Sequence, residues 1–182
     1  MYSTTTREQK IALLKNTVRN VPDFPVEGIL FKDVTTLFDN PQCLRFLSDI
    51  LYEEYKNLGI TKVIGIESRG FIMGPIMALS LDAGFVPIRK VGKLPAATFS
   101  KKYEKEYGWD EIEIHQDALD SEDVVLIHDD LLATGGTMLA AYDLVSRIGV
   151  QKIHLNFLIE LEALKGRERF SKNVDLRTLI KF

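Results

Sequence analysis

The run from Val124 to Thr137 constrains this chain more than any other part of it. It opens with Val124-Val125-Leu126-Ile127, short, apolar and rich in β-branched side chains. Such a run suits a strand buried on both faces of a parallel sheet. His128 and two adjacent carboxylates, Asp129 and Asp130, come next, then Leu131, Leu132 and a small turn, Ala133-Thr134-Gly135-Gly136-Thr137. A helix is predicted from Gly136 to Ile148, closed by Gly149. In open α/β sheets the ligand crevice lies outside the carboxyl ends of the strands, which is where this order puts the acid pair.

Neighbouring carboxylates repel each other and need hydrogen-bond donors or a cation. The 2′ and 3′ hydroxyls of a ribose are donors of suitable spacing. The turn glycines let backbone N–H groups crowd around an anion, and the following helix faces it with its positive end. Thr134 and Thr137 add hydroxyls. The pattern fits a sugar that carries a phosphate. The turn lacks the lysine of a nucleoside-triphosphate loop, and no G-x-G-x-x-G follows a strand, which argues against triphosphate and dinucleotide sites. The competing reading is an ordinary strand–turn–helix with capping threonines and turn glycines; two acids directly after a buried strand weigh against it.

The rest of the chain alternates. Ile11, Leu14 and Val18 fall at helical spacing, and residues 21–39 read as loop with short extended pieces. Leu44, Leu47, Leu51 and Leu58 mark a second helix, ended by Gly59. Strands are predicted at Lys62–Ile66, Phe85–Ile88, from Val124, near 153–159 and near 174–180, with an apolar helix at Phe71–Leu81 and a short helix before the last strand. Strands alternating with helices predict an α/β fold with a parallel sheet. Residues 92–118 have no sustained period. Within them, residues 93–114 are too polar for a core and too aromatic for a simple tail, and read as a lid that closes over a reactive sugar.

With 182 residues, 46% hydrophobic and 27% charged, the chain is expected to form one domain with a real core. A net charge of −3 gives no footprint for nucleic acid or an anionic membrane. No apolar run approaches the roughly 20 residues that span a bilayer, Met1–Gln9 has no signal-peptide core, and Cys43 is the lone cysteine. A cytoplasmic enzyme is expected. His115, His128 and His154 are dispersed and offer no metal-ligand spacing. His128 reads as a satisfied strand histidine able to perturb the acids beside it.

At Asp129–Met138 the string D-D-L-L-A-T-G-G-T-M resembles the phosphoribosyl pyrophosphate (PRPP) signature of type I phosphoribosyltransferases, in the version of the adenine-specific family. Further matches follow in order: Asp23-Phe24-Pro25, Gly28-Ile29-Leu30-Phe31-Lys32-Asp33, Glu67-Ser68-Arg69-Gly70-Phe71, Arg89-Lys90 with Gly92-Lys93-Leu94-Pro95, Glu106-Tyr107-Gly108, and Leu164-Lys165-Gly166-Arg167. The likeness spans roughly residues 20–170. It departs at His128, where the family usually has an apolar residue, and at Ala96, where a glycine usually follows the proline.

The resemblance implies the type I phosphoribosyltransferase fold, a parallel sheet flanked by helices with a small N-terminal hood, mainly residues 20–40. It implies purine salvage: adenine plus PRPP gives AMP and pyrophosphate in a Mg²⁺-dependent homodimer, with Mg²⁺ held mainly by the substrate. Asp129 and Asp130 would hold the ribose, and Ala133, Thr134, Gly135, Gly136 and Thr137 the 5′-phosphate. Ser68, Arg69, Arg89, Lys93 and Tyr107 would meet the pyrophosphate. From the residues alone, Ser68 and Arg69 form a glycine-ended turn that suits pyrophosphate or a plain turn with a solvated arginine. Leu30, Phe31, Lys32 and Leu131 would hold the adenine, with Phe31 and Leu131 on its two faces; by spacing alone Phe31 could equally be core. Glu106 would manage the proton at the purine, and Glu104 is its nearest rival. Two alternatives stand beside this reading: specificity for hypoxanthine, guanine or xanthine, and a non-catalytic PRPP-sensing regulator.

Overall fold

A computed structural model describes residues 5–24, 26–104 and 108–182. Residues 1–54 form one compact unit and residues 55–182 another. The hood expected at residues 20–40 lies inside the first.

In the first unit, helix α1 (Arg7–Thr17) begins at a reciprocal cap. The Gln9 N–H donates to the Thr6 hydroxyl at 3.3 Å, and the Thr6 N–H donates to the Gln9 side chain at 2.9 Å. Strand β1 (Arg19–Pro22) pairs antiparallel with β2 (Leu30–Asp33). In the connection the Gly28 N–H donates to the Asp23 carboxylate at 2.7 Å, and Gly28 has a φ of 86°. Two helices follow, α2 (Thr35–Asp39) and α3 (Pro41–Tyr55). The Asn40 side chain accepts from the N–H groups of Gln42 and Cys43, capping α3 just before a proline at its first position. This helix stops at Tyr55, short of the predicted boundary at Gly59, and Leu58 falls in the turn beyond it.

The second unit holds strands β3 (Lys62–Ile66), β4 (Gly84–Lys90), β5 (Thr98–Glu104), β6 (Trp109–His115), β7 (Val124–Leu132), β8 (Lys152–Glu160) and β9 (Asp175–Lys181), with helices α4 (Gly70–Ser80) and α5 (Gly136–Ile148). Their order is β5-β6-β4-β3-β7-β8-β9. The five strands from β4 to β9 in that order run parallel, as the strand–helix alternation predicts, while β6 is antiparallel to β4 and β5 is antiparallel to β6. The single helix expected before β9 is two short 3₁₀ turns, Glu162–Leu164 and Gly166–Arg169.

Strand alternation puts the two helices on opposite faces. Ile64 and Ile66 of β3 join Val125 and Ile127 of β7 in one buried cluster with Met138, Ala141 and Val145 of α5. Gly65 points the other way, toward α4. A methyl group on it would lie 2.9 Å from the Gly70 carbonyl oxygen and 2.9 Å from the Phe85 ring, and one on Gly74 would lie 2.6 Å from that same ring. The absence of two side chains lets α4 settle close to the sheet.

The expected lid, residues 93–114, contains β5 and all but the last residue of β6. Their pairing runs from Thr98 opposite His115 to Glu104 opposite Trp109. Cross-strand pairing organises this segment, although no periodicity along the chain announces it.

Gly65→Ala is expected to cost about 1–3 kcal/mol, the range for overpacking a tight core, because the Gly70 carbonyl is backbone and cannot rotate away. Urea unfolding of the variant and the parent chain checks this.

Candidate active site

The acid pair sits on β7 itself. The apolar run implies a strand ending at Ile127, but β7 continues to Leu132, so that boundary is corrected. On one side β8 runs alongside, with Asp129 opposite Phe157 and Leu131 opposite Ile159. On the other side β3 pairs only as far as Gly65 opposite His128, then turns away through Glu67-Ser68-Arg69. Asp129 and Asp130 are therefore held by one neighbour and open toward the space that the other vacates. Side chains of successive strand residues point to opposite faces, yet both acids line one cavity because it lies across the end of the sheet.

That cavity encloses about 290 Å³ and brings Ser68, Arg69, Asp129, Asp130 and Thr137 together. The Glu67–Ser68 peptide is cis. Asp130 is buried, and the Arg69 guanidinium donates to it. Asp129 accepts the N–H of Asp130 at 2.9 Å. Burial, and then the Asp130 charge, push the Asp129 carboxyl well above its usual range. The donors that two adjacent acids require are thus supplied for Asp130 by an arginine and for Asp129 only in part.

The turn after β7 is not a threonine-capped helix start. The cap residue of α5 is Gly135, left-handed at φ 78°, and no side chain bonds there. Helix bonding begins with the Leu139 N–H to the Gly135 carbonyl at 2.9 Å, and the first N–H groups of a helix have no partner within it. Thr137 lines the cavity, and its hydroxyl lies 3.2 Å from that of Tyr103 on β5. Ala133, Thr134 and Gly136 are half-buried beside it.

Arg89 and Lys93 gather around Glu67 rather than standing free. The Lys93 ammonium lies 2.6 Å from the Glu67 carboxylate, and Arg89 lies 3.4 Å from it. The Lys90 N–H donates to the same group at 3.0 Å. Burial alone would raise the Glu67 carboxyl, but Lys93, the Lys90 N–H and Arg89 outweigh it and hold the pKa at about 2. Glu113 on β6 shapes the loop from within: its carboxylate accepts the N–H groups of Lys93 and Leu94, each at 3.0 Å.

In the first unit the expected base contacts lie on the hairpin. Leu30 is exposed, Phe31 is half-buried with its ring 5.1 Å from that of Phe24 at 65°, and the Lys32 ammonium donates to Asn20 at 2.6 Å. Leu131 is half-buried on β7. Glu106 and Tyr107 lie outside the described residues.

Residues 33–179 match the model of the phosphoribosyl transferase domain. The adenine phosphoribosyltransferase of Bacteroides thetaiotaomicron is 58% identical over 171 residues, 94% of this chain and 97% of that one. The chain belongs to the adenine phosphoribosyltransferase family. The crystal structure of the Rhodothermus marinus adenine phosphoribosyltransferase superimposes with a TM-score of 0.89 at 48% identity, covering 96% of this chain and 99% of that one. The Saccharomyces cerevisiae adenine phosphoribosyltransferase, solved with adenine and an imino-altritol bisphosphate, matches with a TM-score of 0.88 at 42% identity, covering 94% of this chain and 99% of its own.

Within this phosphoribosyltransferase four further residues line the site without a role assigned from the sequence, Glu67 and Lys90 being quoted there only as members of family motifs. Glu67, Tyr103, Lys90 and Asp110 line the cavity. Tyr103 lies in a charged stretch whose alternation is weak, and Lys90 and Asp110 meet at 3.5 Å only because β4 and β6 pair. His128 is fully buried. Its Nδ1 lies 2.7 Å from the Asn156 side-chain oxygen, and the Asn156 amide donates to the Tyr55 hydroxyl at 3.0 Å. Burial lowers its pKa to about 4, so the imidazole stays neutral, and its Nε2 has no partner among the described residues. The reading of a satisfied strand histidine holds at one nitrogen only.

Asp129→Asn keeps the acceptor for the Asp130 N–H and removes the ionisation that burial and Asp130 oppose. A raised folded-state pKa means that the unfolded chain ionises first, so the parent loses stability as pH climbs from the ordinary aspartate value of 3.8 toward the raised one. The variant escapes that loss. Its melting temperature is expected to exceed the parent's by a margin that grows above about pH 4 and then levels, while AMP binding falls. Thermal melts across pH, paired with calorimetry, read both effects.

Proposed function

We propose that this chain transfers the phosphoribosyl group of PRPP to adenine, giving AMP and pyrophosphate. The observation that carries the reading is the convergence of both aspartates, Thr137 of the glycine turn and the Ser68-Arg69 loop on one cavity of about 290 Å³. Two acids, hydroxyl and backbone donors, and an arginine around one cavity suit a phosphorylated pentose with a second anion at its other end.

In the reaction a purine nitrogen bonds to C1 of the ribose while the bond from C1 to the pyrophosphate oxygen breaks. Positive charge develops on the sugar ring between these events. Asp129 and Asp130 grip the ribose hydroxyls and offset that charge at close range. Ala133, Thr134, Gly135, Gly136 and Thr137 hold the 5′-phosphate through N–H and hydroxyl donors. Ser68, Arg69, Arg89 and Lys93 receive the departing pyrophosphate, joined by Tyr107. When pyrophosphate arrives, Lys93 and Arg89 exchange the Glu67 carboxylate for its oxygens. Leu30, Phe31 and Lys32, with Leu131, serve the base: Phe31 and Leu131 as apolar surfaces, and the backbone of Leu30 and Lys32 for the amino edge. Glu106 accepts the proton that the purine gives up.

Asp130 is engaged by Arg69, and no group of three or more potential ligands converges among the described residues. Mg²⁺ would come in on the PRPP oxygens and neutralise part of their charge. A second copy of the chain is the partner we assign to the outer face of α4, where Ile72, Pro75 and Leu79 are exposed at helical spacing and Leu79 is 85% exposed. A cytoplasmic setting suits the buried free thiol of Cys43. No described helix is long and apolar enough to cross a membrane.

Steady-state pyrophosphate release over adenine, hypoxanthine, guanine, xanthine and uracil, with and without Mg²⁺, tests the reading; turnover with adenine alone and only with the metal is expected. Glu106→Gln is expected to lower kcat at least about 10²-fold with the fold intact. A near-parental rate moves the role to Glu104, for which Glu104→Gln is the control. Leu79→Glu is expected to halve the mass seen by light scattering.

A further inference from the structure

An anion cradle built from backbone N–H groups has a second side. The N–H groups that face the ligand oblige neighbouring carbonyls to leave in other directions, and those carbonyls need room. Behind the turn after β7, that room is made by Gly166. A methyl group placed on Gly166 would lie 2.2 Å from the Ala133 carbonyl oxygen and 3.1 Å from its carbon. The approach is mutual, since a methyl on Gly135 would lie 2.7 Å from the Gly166 carbonyl oxygen. Both obstacles are backbone, so no side-chain rotation relieves them. Gly149, which closes α5 at φ 85°, has nothing within 4 Å of such a methyl; there the backbone angle calls for glycine, whereas at Gly166 the space does.

Gly166 is itself fixed by its neighbour. The Arg167 guanidinium donates to both oxygens of the Glu160 carboxylate at 2.9 and 2.7 Å, to the Leu176 carbonyl at 2.8 Å and to the Thr178 hydroxyl at 3.0 Å. One side chain thus ties the segment to the end of β8 and to the first half of β9. Thr178 donates in turn to Glu160 at 2.7 Å, and Arg167, more than the burial that opposes it, holds the Glu160 carboxyl below its usual range. The Leu161 N–H to the Leu132 carbonyl at 3.0 Å ties the start of the segment to the last residue of β7.

We propose that Gly166 and Arg167 are positioning residues for the 5′-phosphate, forming a backing that sets the depth of the Ala133–Thr137 turn without touching substrate. The proposal rests on that turn's being the phosphate site. Oriented hydrogen-bond donors lose their value steeply when displaced, and a shift of about 1 Å can cost on the order of 10²-fold in rate. A methyl group behind the turn must displace it by a comparable amount.

The test compares Gly166→Ala, Arg167→Gln and Thr137→Val with the parent chain, by calorimetry with AMP, adenosine and pyrophosphate and by steady-state kinetics in PRPP. For both backing variants AMP affinity is expected to fall at least about tenfold, with KM for PRPP rising in step. Adenosine and pyrophosphate affinities should stay within about twofold of the parent. A merely structural role would reduce the active fraction and the melting temperature and leave these ratios unmoved. If Thr137→Val weakens AMP while folded Gly166→Ala or Arg167→Gln binds AMP like the parent, the backing proposal is overturned and the phosphate turn stands. If Thr137→Val also leaves AMP binding unchanged, the assignment of the turn fails first. Should Gly166→Ala not fold, Arg167→Gln decides, because it removes the clamp and adds no atom behind the turn.

Discussion

Two carboxylates side by side at the end of a buried strand must be neutralised before the rest of the site can exist. Here β3 stops pairing at Gly65 while β7 continues along β8, and the chain leaving β3 swings Arg69 across to Asp130. One ion pair therefore joins the two strand ends that bound the cavity. Asp129, lacking such a partner, is left with a carboxyl that resists ionisation. Its remaining acceptor capacity is what the hydroxyl donors of the proposed ribose would meet.

The same economy recurs around Glu67. Lys93, Arg89 and the Lys90 N–H are occupied by Glu67, and the loop that carries Lys93 is held by Glu113. The Glu67 carboxylate keeps these cations ordered. Behind the turn after β7 two glycines, Gly135 and Gly166, meet back to back. On the hairpin of the first unit Phe24 and Phe31 form an aromatic pair.

Much of this is legible along the chain because local rules govern it. A uniform apolar run becomes a buried parallel strand, Gly149 ends α5, and Asp129-Asp130 with the glycine turn indicate a phosphorylated sugar from residue chemistry alone. Where the reading falls short, long-range contacts are responsible. β7 is five residues longer than its apolar run because β8 supplies hydrogen bonds beneath polar side chains, and ladder bonds do not depend on side-chain polarity. The strands β5 and β6 show no period because their order comes from cross-strand pairing. His128, an exception to the family pattern, is accommodated by Asn156 and Tyr55, residues far from it in sequence.

By itself the sequence determined the alternation of strands and helices, the chemistry of the ligand and the family, since each depends on residue type at short spacing. Only the tertiary structure decided which groups meet at the site: Arg69 with Asp130, Lys93 with Glu67, Gly166 against Ala133. These depend on the directions and separations that packing imposes on residues distant in the chain. Charge and steric contact fall off over a few ångströms, a scale that spacing along a sequence does not record.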